Sequence, residues 1–108
     1  MRYKLFQIKD VETCPYVFSG LSFAQKDNKF SLKDYEVVYS GEIDLETYDD
    51  EGNEDVYHTL EYLFDMFNIY QPEDFKSRSM SVSDVVELDG EYYYCDHVGF
   101  KKITDMCS

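Results

Sequence analysis

The chain has 108 residues, which is enough for one domain with a modest core. Hydrophobic residues make up 44% of it and aromatic residues 18%, which is too apolar for an intrinsically disordered chain. The formal net charge is −13, and a field of that sign repels nucleic acid, so we expect no direct nucleic-acid binding.

The first predicted element is a β-strand at residues 2–8, where RYKLFQI alternates in polarity. Tyr3 and Leu5 would point to one face of the sheet, and Phe6 and Ile8 to the other. This segment lacks the apolar run of a signal peptide, and no run of about 18 apolar residues predicts a membrane span. Three cysteines without paired spacing favour a reducing compartment. We therefore expect a cytoplasmic protein that makes no membrane contact.

The next segments predict a covering layer and a second strand. Residues 16–25, YVFSGLSFAQ, predict a short helix or a packed loop, because Gly20 disfavours a long helix. Residues 26–29, KDNK, predict a turn. Residues 35–43, YEVVYSGEI, are β-branched and aromatic and predict a strand.

The strongest helix signal covers residues 54–67. Val56, Leu60, Leu63 and Phe67 recur on one helical face, and Asn53 is suited to cap the N-terminus. The opposite face is acidic. We therefore expect one main amphipathic helix of about residues 54–67.

Residues 81–103 predict the rest of the sheet. SVSDVVEL leads into a strand, DG at 89–90 predicts a two-residue type I′ turn, and EYYYCD is the returning strand. This turn places Val86 opposite Tyr93, and the two apolar faces of the hairpin are expected to be covered. VGFKKI predicts a last short strand. The fold class is therefore α+β: a single small domain with an antiparallel sheet and one main helix packed on it.

Motifs for catalysis or metal binding are weak in this sequence. His58 and His97 are far apart, and Cys95 and His97 lack the spacing of a zinc site. The acidic loop after the second strand lacks the EF-hand order of ligands. The chain has no P-loop, GxGxxG or GxSxG motif. We expect a protein without enzyme activity, metal or cofactor.

Negative charge is concentrated in the middle of the chain. Residues 34–75 contain fourteen acidic residues and no Lys or Arg. A solvated, solubilising surface is the simplest interpretation. We favour a protein-binding face that imitates nucleic acid, because the acids continue from a loop onto one helix face and alternate with tyrosines. The predicted binding residues are Asp44, Glu46, Tyr48, Asp49, Asp50, Glu51, Glu54, Asp55, Tyr57, Glu61, Tyr62 and Asp65.

Several segments resemble the YodL-like domains of Firmicutes mobile elements. They are YKLFQIK, YEVVYSGEI, FNIYQPEDF and SMSVSDVVELDGEYYYCDHVGFKKI. The most specific part is SVSDVV at 81–86, followed by Tyr93, Asp96, Gly99 and Phe100. The likeness covers most of the chain, so residues 1–108 are interpreted as one YodL-like domain. It implies no enzyme activity, and it implies that the motif residues are structural.

In size and charge the chain is similar to small anti-CRISPR proteins that inhibit type II-A Cas9. This resemblance implies a partner with a basic nucleic-acid-binding groove, above all Cas9, whose loading with guide RNA or target DNA would be blocked. One alternative is an antirestriction-type inhibitor of another host nucleic-acid-binding protein. A second is a non-catalytic adaptor of a conjugative element with a merely solvated acidic face. A third is an enzyme, such as a guide-RNA nuclease that depends on His97.

Overall fold

The computed structural model describes residues 2–26, 30–43 and 56–103. Within these ranges, five antiparallel strands form one sheet in the order β2-β1-β3-β4-β5. The elements are β1 (Arg2–Ile8), α1 (Leu21–Gln25), β2 (Tyr35–Glu42), α2 (Val56–Asn68), β3 (Val85–Leu88), β4 (Glu91–Cys95) and β5 (Phe100–Ile103). The predicted α+β class and all predicted strands are confirmed. The predicted turn at 27–29 lies outside the described residues.

The sheet is built around β1, which pairs with β2 on one side and β3 on the other. Because the side chains of β1 alternate between the two faces of the sheet, each face has its own hydrophobic core. Tyr3 and Leu5 are buried on the side that carries α2, and Phe6 and Ile8 are buried on the opposite side. The sheet is therefore a middle layer that is covered on both faces.

The helix α2 covers one face through the apolar stripe that the sequence predicts. Leu60, Leu63 and Phe67 are fully buried against the sheet. The Phe67 ring centre lies 5.3 Å from that of Tyr39 and 4.9 Å from that of Phe75. The predicted start of this helix, with Asn53 as its cap, lies outside the described residues.

The segment between β1 and β2 covers the second face and is anchored by hydrogen bonds. The buried Tyr16 donates its hydroxyl to Asp34 Oδ2 at 2.6 Å. The backbone N–H of Phe18 donates to Ser83 Oγ at 2.9 Å, and the Tyr94 hydroxyl donates to the Ser19 carbonyl at 2.6 Å. The segment contains the short helix α1, which follows a packed loop. Both predicted alternatives, a short helix and a packed loop, are therefore present.

A buried polar cluster joins β1 to the segment before β3. Asp84 and Gln7 are 0% and 1% exposed. The Asp84 carboxylate accepts hydrogen bonds from Gln7 Nε2 at 3.0 Å and from the Ser81 N–H at 3.0 Å, and it pairs with Arg78 Nη2 at 3.1 Å. Gln7 Oε1 accepts from the Ser77 hydroxyl at 2.7 Å. Because a buried charge is tolerated only when it is paired and hydrogen-bonded, this cluster fixes residues 77–84 against β1.

The β3–β4 hairpin has the predicted register. Leu88 lies opposite Glu91, Val86 opposite Tyr93, and Val85 opposite Tyr94. Both turn residues have positive φ, 49° at Asp89 and 87° at Gly90, as a type I′ turn requires.

We expect Gly90→Ala to lower the free energy of unfolding by about 1 kcal/mol. A Cβ at Gly90 would meet nothing within 4 Å, so the loss would come from backbone strain alone. Urea denaturation measures it. Gly90→Asn is the matched control, since Asn tolerates positive φ better than Ala does. A loss from Asn as large as that from Ala would contradict the explanation.

Candidate protein-binding surface

The outward side of α2 carries four of the predicted binding residues. Glu61 and Asp65 are exposed, and Tyr57 and Tyr62 are 50% and 48% exposed. The Tyr57 ring packs edge-on against Tyr93, with ring centres 5.9 Å apart. The tyrosines thus present apolar area beside the two acids. We call these four residues the α2 face.

The other predicted binding residues belong to the loop that leads into α2 and to the start of that helix. Asp44, Glu46, Tyr48, Asp49, Asp50, Glu51, Glu54 and Asp55 lie outside the described residues. Their role in binding stays a prediction from the sequence.

The acids of the α2 face have no basic partner in the described part of the chain. The salt bridges there join Arg2 to Glu42, Arg78 to Asp84, and Lys102 to Glu91. Glu61 and Asp65 take part in none of them. Two like charges four residues apart on a helix repel each other by a few tenths of a kcal/mol. A cation from outside would relieve this repulsion.

A groove of about 380 Å³ lies beside the α2 face. It separates α2 from the turn at residues 96–99 that joins β4 to β5, and we call it the α2–turn groove. Its apolar walls include Phe64 and Phe100, whose rings meet edge to face with centres 6.5 Å apart. Its polar lining comes from Glu61, Asp65, Asp96 and His97.

The turn at 96–99 is held in place by its own hydrogen bonds and by the residue before α1. The Asp96 N–H donates to the Gly99 carbonyl at 2.9 Å, and the His97 N–H donates to Asp96 Oδ1 at 2.8 Å. A Cβ at Gly20 would lie only 2.8 Å from Asp96 Oδ1, so the turn rests directly on that backbone. The position of Asp96 is therefore set by both the turn and the covering layer.

Cys95 and His97, which were considered for metal binding or catalysis, differ in their exposure to solvent. Cys95 is buried, and burial raises the pKa of its thiol to about 12, so it stays protonated near neutral pH. His97 is exposed in the turn. In the ranges that the structure covers, no three His, Cys, Asp or Glu side chains are placed to share a metal ion. No helix in those ranges has the length and apolarity of a membrane span.

Comparison with known families shows the family of this chain. The model of the YodL-like domain matches residues 2–106. The chain belongs to the YodL-like domain family. No curated protein and no solved structure matches it. The match confirms the family resemblance, and it extends over all five strands and α2 of this YodL-like domain.

Several residues that line the α2–turn groove belong to the family motif and were not predicted as binding residues. Asp96, Gly99 and Phe100, three of the motif residues, line the α2–turn groove together with Val82 of the SVSDVV segment. In the sequence they indicated only a scaffold. In the folded YodL-like domain, Asp96, Gly99 and Phe100 line the same groove as Glu61 and Asp65, which lie more than thirty positions earlier in the chain. The motif identifies these residues in the sequence, but it does not indicate that the acidic side of α2 lies beside them.

Proposed function

We propose that this YodL-like domain is a non-catalytic inhibitor that binds a basic nucleic-acid-binding groove of a host protein. Its first target would be Cas9, and bound inhibitor would block the loading of guide RNA or target DNA. The proposal rests on one observation: the exposed acids of the α2 face, which form no salt bridge with another described residue, belong to a segment, residues 34–75, with fourteen acids and no Lys or Arg. A surface of this kind competes for cationic grooves that normally hold phosphates.

Charge and aromatic area have separate parts in this proposal. The acids steer the approach to a basic groove, which raises the association rate and makes it sensitive to salt. Exposed ion pairs contribute only about 0–1 kcal/mol each. Tyr57 and Tyr62 would therefore supply the desolvated contacts that slow dissociation, because tyrosine is enriched among residues that dominate binding energy.

Two observations support a role without catalysis. The Ser83 hydroxyl accepts a hydrogen bond from the Phe18 N–H, and burial keeps the Cys95 thiol protonated. Both groups thus serve the fold and are poor nucleophiles. Catalysis by His97 remains testable, since His97→Ala would abolish any loss of guide RNA that the protein caused.

The test is inhibition of purified type II-A Cas9, with and without guide RNA, by wild-type protein and a face variant. The variant Asp49→Asn, Asp50→Asn, Glu51→Gln, Glu54→Gln removes four charges from the predicted loop and helix start. We expect inhibition to weaken about tenfold or more, since several steering charges are lost. Raising the salt concentration should weaken the wild type in the same direction.

The matched control removes four exposed acids outside residues 34–75: Asp10→Asn, Glu12→Gln, Asp89→Asn, Glu91→Gln. It should inhibit nearly as well as the wild type. Equal inhibition by the wild type, the folded face variant and the folded variant Glu61→Gln, Asp65→Asn would exclude the acidic face. Absence of Cas9 inhibition, with capture of a restriction enzyme from host lysate, would favour the antirestriction alternative. Absence of any nuclease partner would favour the adaptor.

A further inference from the structure

We infer that the α2–turn groove receives one arginine side chain of the protein partner. The inference rests on the proposed function, since it takes the partner surface to be basic. It goes beyond that function by naming the site that holds the partner and the side chain that enters it. It also gives a binding role to motif residues that the sequence indicated as scaffold.

The first argument is charge. Glu61, Asp65 and Asp96 line the groove from two sides, and none of them forms a salt bridge within the described ranges. Asp96 uses Oδ1 to hold the turn. A concave site with low-dielectric walls concentrates the field of its charges, so a cation gains more there than on the open helix surface. The same charges repel phosphates and carboxylates.

The second argument is the shape of the walls. Phe64, Phe100 and Val82 give the groove apolar surfaces beside its acids. Arginine fits both properties, because its planar guanidinium stacks on aromatic rings and pairs with carboxylates in a fixed fork geometry. Lysine carries a compact and strongly hydrated charge, so it would lose more hydration in such a site. Chemistry therefore favours arginine over lysine.

The third argument is size and rigidity. The volume of about 380 Å³ falls at the lower end of the about 300–1,000 Å³ typical of small-ligand pockets. One side chain fits this space better than a folded element does. The turn at 96–99 is fixed by the Asp96 N–H bond to Gly99 and by contact with Gly20. A site that is already formed does not need to be ordered on binding.

The test is an NMR titration of the full chain with the peptide acetyl-Gly-Arg-Gly-amide. We expect amide shifts concentrated at residues 61–65 and 95–100. The same peptide with citrulline, a neutral isostere of arginine, should cause no shifts there, and the lysine peptide should bind several-fold more weakly. Equal binding of the arginine and citrulline peptides, or shifts spread over the whole acidic surface, would overturn the inference.

Variants locate the effect in the groove. Glu61→Gln with Asp65→Asn should weaken arginine-peptide binding about tenfold, the usual order of loss when charged hydrogen-bond partners are removed. Phe64→Leu keeps every charge and should also weaken binding, through the lost ring. Glu36→Gln with Glu73→Gln removes two exposed acids elsewhere and should leave binding unchanged. Dispersed amide spectra confirm that each variant is folded. Wild-type affinity in the folded Glu61→Gln, Asp65→Asn variant would exclude the site.

The Cas9 assay separates this inference from the proposed function. If Cas9 is inhibited equally by the wild type and by Glu61→Gln, Asp65→Asn, the groove is not the anchor and the inference fails, while the proposed function is then decided by the face variant, which removes the loop acids. If the arginine peptide binds in the groove but Cas9 is not inhibited, the inference stands and the Cas9 proposal fails.

Discussion

Phe67→Ala is expected to lower the free energy of unfolding by about 3–5 kcal/mol, as is usual when a fully buried aromatic ring is removed. Phe67 is 0% exposed. Its ring meets Tyr3, Tyr39 and Phe75 with centres 6.2, 5.3 and 4.9 Å apart. The ring therefore joins α2 to β1, to β2 and to the segment after the helix. Chemical denaturation followed by circular dichroism measures the loss.

Tyr70→Ala is the matched control, because Tyr70 is also aromatic, lies just beyond the same helix and is 76% exposed. We expect it to change the free energy of unfolding by less than about 0.5 kcal/mol. If Phe67→Ala lowered the free energy of unfolding as little as Tyr70→Ala, the result would contradict the packing of α2 on the sheet. The acidic α2 face would then lose its fixed position beside the turn at 96–99.

The second large effect is a dependence of stability on pH that comes from Asp84. Burial raises the pKa of this carboxyl to about 6, although the Ser81 N–H, Arg78 and Gln7 act in the opposite direction. An acid with a raised pKa binds its proton more tightly in the folded state than in the unfolded state. Its stabilising contribution is therefore complete below the unfolded pKa of about 4 and is lost as the pH rises through about 6.

The variant Asp84→Asn isolates this contribution from the other acids of the chain. Asparagine does not titrate, so the difference in unfolding free energy between wild type and variant reports Asp84 alone. We expect the wild-type advantage to shrink by about 2 kcal/mol between about pH 4.5 and pH 7.5. Urea denaturation at both pH values gives the difference. An advantage that stays constant or grows with pH would show that the pKa of Asp84 is not raised.

The elements that sequence predicts well are those with local signals. The two-residue turn at 89–90 fixes the whole register of β3 and β4. The stripe of Leu60, Leu63 and Phe67 defines which side of α2 meets the sheet. The alternation in β1 separates Tyr3 and Leu5 from Phe6 and Ile8. In each case the period of the backbone imposes the pattern within a few neighbouring residues.

The features that sequence misses depend on contacts between distant segments. The position of β1 between β2 and β3 has no local signal. The hydrogen bond between Gln7 and Asp84 also has no local signal, because an acid in a Ser-rich segment is more often part of a turn or cap. The α2–turn groove needs both the helix position and the β4–β5 turn. The exposure of Glu61 and Asp65 was predictable, because both lie on the side of α2 opposite its apolar stripe.

The central place of β1 has a consequence for the order in which the protein can fold. Its strand is synthesised before either of its neighbours, yet Tyr3 pairs with Leu88 and with Gly41. Until β3 leaves the ribosome, one edge of β1 lacks its native partner, and Leu5 lacks its neighbour Val86. Folding must therefore wait for distant contacts, which makes it slow and leaves an apolar strand edge open to chaperones and to other nascent chains.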